Sequence, residues 1–262
     1  MARAQLSLAV DGALREFLFM TISLETRRLL SVASYNIHRC VGVDGRCDPL
    51  RIAQVIRELD ADIVGLQEVH SRVTDDEQAH QLDFLADATG LRAIPGPTLY
   101  RHDGHYGNAL LTNATILVVR PFDLSIPGRE PRGGIDAEID IAGENLRVIV
   151  THLGLLPSER RLQVKRLLTL LAEESTRLIV MLGDINEWRP RARSLRWLQA
   201  YFGDAPAPRT FPTRLPLFAL DRIWAKPREA LLRVHVSASP LARLASDHLP
   251  VTATIRVMSE SP

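Results

Sequence analysis

The stretch Leu178-Ile179-Val180-Met181-Leu182-Gly183-Asp184-Ile185-Asn186 decides how the rest of the chain reads. Five apolar residues, two of them β-branched, run without a polar interruption into a glycine. A short apolar run closed by a turn signal describes a strand covered on both faces. Gly183 lets the backbone bend at the strand end, and Asp184 and Asn186 then emerge where a buried sheet meets solvent. Side chains alternate along a strand, so these two groups point the same way. A rigid strand end suits groups that must be held within a fraction of an ångström.

Other segments end alike. Ser31–His38 alternates as a strand with Asn36 near its end, and Asp62–Val69 closes on Gln67 and Glu68. Leu146–His152 closes on His152, Leu220–Trp224 carries Asp221, and Ser246-Asp247-His248 precedes a last strand at Pro250–Val257. Gly107–Thr112, Ile116–Val119, Ile135–Ile141 and Leu231–Val236 are further strand-like runs. Asp48 and Pro49 form an N-cap and first helical position, ahead of a stripe of Ile52, Val55, Ile56 and Leu59. Asp75–Thr89 reads as a helix closed by Gly90, and Leu195–Tyr201 as another. The helix opened by Pro157 is expected to turn Leu162, Leu167, Leu168 and Leu171 inward and to leave Arg160, Arg161, Lys165 and Arg166 mostly outside. A Pro-rich loop spans Pro206–Pro216. No repeat or linker divides the chain, so one domain is expected, with stacked sheets and helices outside.

Composition narrows the function classes. The 262 residues suffice for one large domain, and 46% hydrophobic with 24% charged residues is ordinary for a globular protein. A formal net charge of +1 provides no global field to recruit a polyanion, so any phosphate-binding surface must be local. Cys40 and Cys47 read as reduced thiols, and two cysteines are too few for a zinc site. Asp11, Arg15 and Glu16 interrupt the apolar residues near the start, and Phe17–Leu24 is too short to span a bilayer. Met20 could serve as an alternative start. Residues 1–30 are therefore expected to be an extension outside the fold, residues 31–258 the domain, and the compartment cytoplasmic.

Several carboxylates buried together are costly unless a cation or protons neutralise them. An all-oxygen set with a few histidines and no thiolate suits a hard cation, Mg²⁺ or Mn²⁺. Histidines beside it can serve as acid, base or donor to an anion. The order Ser34–His38, Leu66–Val69, Tyr106–Thr112, Thr151–Leu153, Gly183–Asn186, Leu220–Ile223 and Ser246–Pro250 resembles the endonuclease/exonuclease/phosphatase superfamily, from about Ser31 to Val257.

The resemblance implies a DNase I-like fold, a four-layer α/β/β/α sandwich of two packed, mainly antiparallel sheets flanked by helices. It implies hydrolysis of a phosphate ester, most simply a phosphodiester, with Asn36, Glu68 and Asp247 at the metal. By the same resemblance Asp184 orients or deprotonates the attacking water, Asn186 holds a phosphate oxygen and His152 donates to the phosphate. Asp221 orients His248, which contacts the phosphate or the nucleophile. Asn108 and Arg132 are candidate substrate contacts, although Arg132, within Glu130–Gly134, reads first as a turn cap.

Departures bear on the substrate. Abasic-site endonucleases of this superfamily carry a tyrosine where His152 stands, which argues against that specialisation. Asn36–Arg39 and the loop after it are similar to small bacterial members related to proteins of lipid phosphodiester and GPI-anchor lipid remodelling. Arg189, Arg191, Arg193 and Arg196 interleave with Trp188 and Trp197 and would suit a nucleic-acid backbone, a phospholipid interface with peripheral membrane contact, or a solvated face. No stable protein partner is implied. A silent binding module on the same fold is disfavoured, because every expected position is filled.

Overall fold

A computed structural model of the chain describes residues 28–72, 80–141, 143–172 and 177–257. One sheet holds β1 (Arg28–Asn36), β2 (Ile63–Arg72), β3 (Arg92–Arg101), β4 (Gly104–Thr112), β10 (Leu231–Val236) and β11 (Val251–Val257), in the order β10-β11-β1-β2-β4-β3. The other holds β5 (Thr115–Asp123), β6 (Gly133–Ile141), β7 (Glu144–His152), β8 (Leu178–Asp184) and β9 (Asp221–Lys226), side by side in chain order. The pairs β1–β2 and β7–β8 are parallel and the remaining pairings antiparallel.

Alternation along the strands builds three apolar layers. Leu30, Val32, Val148, Val150, Val180, Leu182 and Ile223 meet between the sheets. Ala33, Tyr35, Val64 and Leu66 face the opposite way, against α1 (Pro49–Leu59), α2 (Gln81–Thr89) and the short α5 (Ala242–Ala245). Ile149, Ile179 and Met181 face α3 (Pro157–Ala172) and α4 (Arg193–Phe202). The expected four-layer sandwich is therefore present, and β8 reads as a continuous apolar run because both its faces are covered.

Local signals acted as expected at several ends. The Asp48 side chain accepts from Arg51 N–H at 3.0 Å, Pro49 opens α1, and Gly90 closes α2 at a φ of 71°. No disulfide joins Cys40 and Cys47.

Two expectations are corrected, and one strand had not been expected. β1 begins at Arg28 and pairs with β11 from its first residue, and Leu30 is buried, so the fold starts inside the stretch expected to be an extension; residues 1–27 lie outside the described residues. β3 was hidden by Pro95 and Pro97, which a strand tolerates only where one side needs no partner, and β3 is an edge strand. In α3, Leu162 is 42% exposed while Arg160 is only 1% exposed. Arg160 gives two hydrogen bonds to Glu187, at 2.9 and 3.1 Å, and a buried charge with a bidentate partner can occupy a core position. The expected helix from Asp75 is described only from Gln81.

Candidate active site

The alternation that fills the inter-sheet core also delivers the polar groups to one place. Asp184 continues the series Leu178, Val180, Leu182, and Asn36 continues Leu30, Val32. His152 follows Val148 and Val150, and Asp221 precedes Ile223 and Ala225. In the ladder His152 stands opposite Asp184, and Asp184 opposite Asp221. All four side chains therefore enter the gap between the sheets at one end, where it opens into a cleft of about 580 Å³.

Two of the remaining groups depend on unusual backbone. The β2–β4 register shifts between Leu66 and Val69, and Glu68 there has a φ of 60°. A bulge re-aims a side chain, and a non-glycine residue held in that region costs about 1–3 kcal/mol. Asn186 has a φ of 52° just beyond β8, and its N–H donates to Asp184 Oδ1 at 2.9 Å.

The groups form one hydrogen-bonded assembly. Asn36 Nδ2 donates to Glu68 Oε1 and to Asp184 Oδ2, both at 3.0 Å, while His38 N–H donates to Asn36 Oδ1 at 3.1 Å. His248 Nδ1 lies 2.8 Å from Asp221 Oδ2, and His248 Nε2 lies 3.7 Å from Asp184 Oδ2. Asn186 Nδ2 lies 2.9 Å from His152 Nε2 and donates to Leu153 O at 3.0 Å.

Charge is divided unevenly. Burial works against an imidazolium at His248, but Asp221 and Asp184 outweigh it and lift its pKa to about 10. Burial raises the Asp184 carboxyl to about 6, against the pull of His248. His152 is held well below the usual histidine range by burial and then by the Arg132 and His248 charges. Its ring nitrogens face two donor groups, Asn186 Nδ2 and Arg132 Nη1 at 3.3 Å, and Nε2 also lies 3.5 Å from Asp184 Oδ2. Burial and these neighbours favour the neutral imidazole at His152.

Where a cation would fit follows from this division. Asp184, Asp221 and His248 each offer a ligand atom within 4.8 Å of the others, and the one imidazolium lies 2.8 Å from Asp221 and 3.7 Å from Asp184. Glu68 is paired instead with the neutral Asn36 amide, and Asp247 is half-exposed with His38 Nδ1 at 3.7 Å. The oxygens that lack a charged partner are thus on the Glu68 and Asp247 side, and all-oxygen donors fit a hard cation. Asn36 serves here as a strut between two carboxylates, its oxygen taken by the backbone.

Arg132 has the turn contact expected of it, its N–H donating to Ser125 Oγ at 3.2 Å, and also a buried guanidinium on the cleft wall. Asn108 is buried in the middle of β4, its Nδ2 donating to Gly133 O at the start of β6 at 3.2 Å, and it is not on the cleft wall. Residues missed in the sequence lie in loops. Thr210 donates to Asp221 Oδ2 at 2.5 Å, and Phe211 packs its ring 4.8 Å from His248. The Pro-rich loop supplying them is fastened by Thr213 N–H to Asp247 O and Leu249 N–H to Thr210 O. Trp188 stands edge-on to Phe211 and Phe218 in the cleft, whereas Trp197 packs under Lys165 away from it. The four arginines after Asn186 are exposed. No helix among the described residues is long and apolar enough to cross a membrane.

Comparison with known proteins places the chain in a family and agrees with the fold. Residues 33–248 match the Endonuclease/Exonuclease/phosphatase family. The Escherichia coli K12 protein YbhP is 32% identical over 250 residues, covering 86% of this chain and 96% of YbhP. An endonuclease/exonuclease/phosphatase structure from Beutenbergia cavernae is similar at a TM-score of 0.68 and 24% identity, covering 88% of this chain and 72% of that one. The Bacteroides thetaiotaomicron mannosyl-6-phosphatase Bt3783 is similar at 0.69 and 20% identity, covering 87% and 100%. The chain therefore belongs to the endonuclease/exonuclease/phosphatase family, whose members hydrolyse phosphate esters.

Proposed function

We propose that this chain is a divalent-cation-dependent phosphodiesterase that attacks its substrate with a water activated at Asp184. The observation that carries this reading is the setting of Asp184. Its two oxygens are held by Asn36 Nδ2 and Asn186 N–H, at the floor of a cleft and beside a charged His248. A carboxylate so oriented can take a proton from a water placed in the cleft.

The other residues divide the remaining work. His248, its ring oriented by Asp221 with Thr210 holding that carboxylate, presents Nε2–H to developing charge on the phosphate or to the nucleophile. Asn186 and His152 line the cleft beside Asp184, on the side where a non-bridging oxygen would sit. Arg132 backs His152 and reaches the cleft wall, where it can meet the same phosphate. Glu68 and Asp247 would hold Mg²⁺ or Mn²⁺, with Asn36 steadying Glu68. The ion would supply charge neutralisation on the phosphate oxygens.

A diester is favoured over a monoester because both walls have room for an organic group. Leu99 and Tyr106 stand on the wall built by the six-stranded sheet, and Trp188, Phe211 and Leu220 on the wall built by the other. Trp188 favours a nuclease as a second reading, since it is 39% exposed and edge-on to its aromatic neighbours, leaving area for a base to stack.

The test is release of p-nitrophenolate from bis-p-nitrophenyl phosphate with Mg²⁺ or Mn²⁺, abolished by EDTA. Asp184→Asn and His248→Ala should each lower turnover by about 10²-fold or more with an unchanged unfolding midpoint. Full activity in either variant would sink the assignment. A panel of DNA, RNA, sphingomyelin, phosphatidylinositol lipids and inositol phosphates then identifies the substrate.

A further inference from the structure

We propose a second anion subsite on the β2 side of the cleft, where Arg39, His70 and Arg101 receive a phosphate of the substrate other than the one being cleaved. The inference rests on the phosphodiesterase reading and deepens it, because it restricts the substrate to molecules that carry an additional phosphate.

The three side chains line the cleft together with Tyr106. Tyr106 is opposite His70 across β2–β4 and opposite Leu99 across β4–β3. Arg101 lies two residues beyond Leu99 on β3, hence on the same face, and both residues line the cleft. The His70 and Tyr106 rings meet edge to face at 6.3 Å. His70 lies two residues past Glu68, a separation of roughly 6–7 Å along a strand, so the subsite adjoins the proposed metal side.

Arg39 comes to this wall through costly backbone. His38, Arg39 and Cys40 have successive φ values of 45°, 55° and 59°, three non-glycine residues in the left-handed region. Such outliers persist only where surrounding structure over-determines them, and they gather at ligand clamps. The buried Gln81 is that surrounding structure. Its Nε2 donates to Arg39 O at 2.8 Å, and its Oε1 accepts from His70 N–H at 2.9 Å. One amide thus ties the Arg39 turn to the strand that carries His70.

The charges at this wall lack an answer from the protein. Arg101 makes no ion pair among the described residues, and the Arg39 guanidinium reaches only the His38 ring, at 3.3 Å. Arg72 nearby is committed to Asp103 at 3.8 Å. Two guanidiniums, Arg39 and Arg101, that no carboxylate pairs among the described residues, on a wall shaped by a fixed turn, match a phosphate rather than an apolar or cationic group.

The decisive measurement is a ratio of affinities, read by calorimetry in the Asp184→Asn background with Mn²⁺ so that binding is seen without cleavage. One arm compares the dinucleotide pTpT with TpT, and the other compares glycerophosphoinositol 4-phosphate with glycerophosphoinositol. The phosphorylated member of at least one pair should bind about fivefold tighter, as one exposed charge pair of roughly 1 kcal/mol confers. The pair with the larger ratio identifies a nucleic acid or a lipid headgroup as the source. Arg39→Gln and Arg101→Gln, checked for an unchanged unfolding midpoint, should each bring that ratio close to one. Equal affinities within both pairs, or a ratio that both variants leave intact, would overturn the subsite. Absence of turnover on bis-p-nitrophenyl phosphate by the parent chain would count against the hydrolase reading alone.

Discussion

His248 illustrates how a residue acquires its role from two neighbours. Asp221, at 2.8 Å, sets its charge, and Thr210, bonded to the same Asp221 oxygen at 2.5 Å, sets where that oxygen points. Asp221→Asn keeps the shape but removes the charge, so turnover of bis-p-nitrophenyl phosphate should fall about 10²–10⁴-fold. Thr210→Val, which leaves the carboxylate in place, should cost only about tenfold, a loss of roughly 1.4 kcal/mol; steady-state kinetics compare the two. Glu68 tests the cation separately from the chemistry. At 100 times its dissociation constant, Mn²⁺ should stabilise the chain by about 2.7 kcal/mol in urea unfolding. Glu68→Gln should lose most of that gain. An equal gain in the variant would place the cation elsewhere.

Among the elements, α3 and the loop after β8 are joined by one buried pair. Arg160 is bidentate to Glu187, whose carboxylate also accepts from Ser194 Oγ at 2.6 Å and from Arg189 N–H at 3.2 Å. Arg160→Met leaves that carboxylate buried without its cation and should destabilise the fold by about 3–5 kcal/mol, measured by urea unfolding near neutral pH. Burial opposes the Glu187 charge, but Arg160 and Ser194 hold its pKa below the usual carboxylate range. A depressed carboxyl contributes stability above its unfolded pKa of about 4.3 and loses it as pH falls through the lower folded value. The difference between parent and variant should therefore shrink below about pH 4. The pairing also explains why the α3 stripe was misread. Arginine at position 160 looks like a solvent residue until its partner, 27 positions later, is placed beside it.

At the scale of the molecule, the spacing of the two sheets sets the width of the cleft. Gly65 on β2 faces the other sheet so closely that an added Cβ would lie 2.0 Å from Leu182 Cδ1 and 3.1 Å from Val150. Gly65→Val should push the sheets apart, costing about 1–3 kcal/mol as overpacking. Glu68 and Asp184, which stand on the two sides of that gap and share Asn36, should separate as well. Turnover should then fall more than stability predicts. A variant with lowered stability but unchanged kcat would show that the cleft does not depend on this spacing.

The sequence by itself determined the layered architecture and most of the polar residues that meet at the candidate site. Alternation and unbroken apolar runs report which faces are buried, and polar residues closing those runs mark strand ends, so Asn36, His152, Asp184 and Asp221 were legible without coordinates. Local chemistry likewise announced the caps at Asp48 and Gly90. Tertiary structure alone decided which strand ends share a gap, since that depends on sheet order and on the register that sets His152 beside Asp184 and Asp184 beside Asp221. It alone showed the edge strand under Pro95 and Pro97, the inward Arg160, the loop that brings Thr210 and Phe211 to His248, and the turn that carries Arg39 to His70. Each of these rests on a partner distant in the chain or on a backbone conformation unfavourable in isolation. Local sequence reports propensity, whereas such features exist only because the folded surroundings outweigh it.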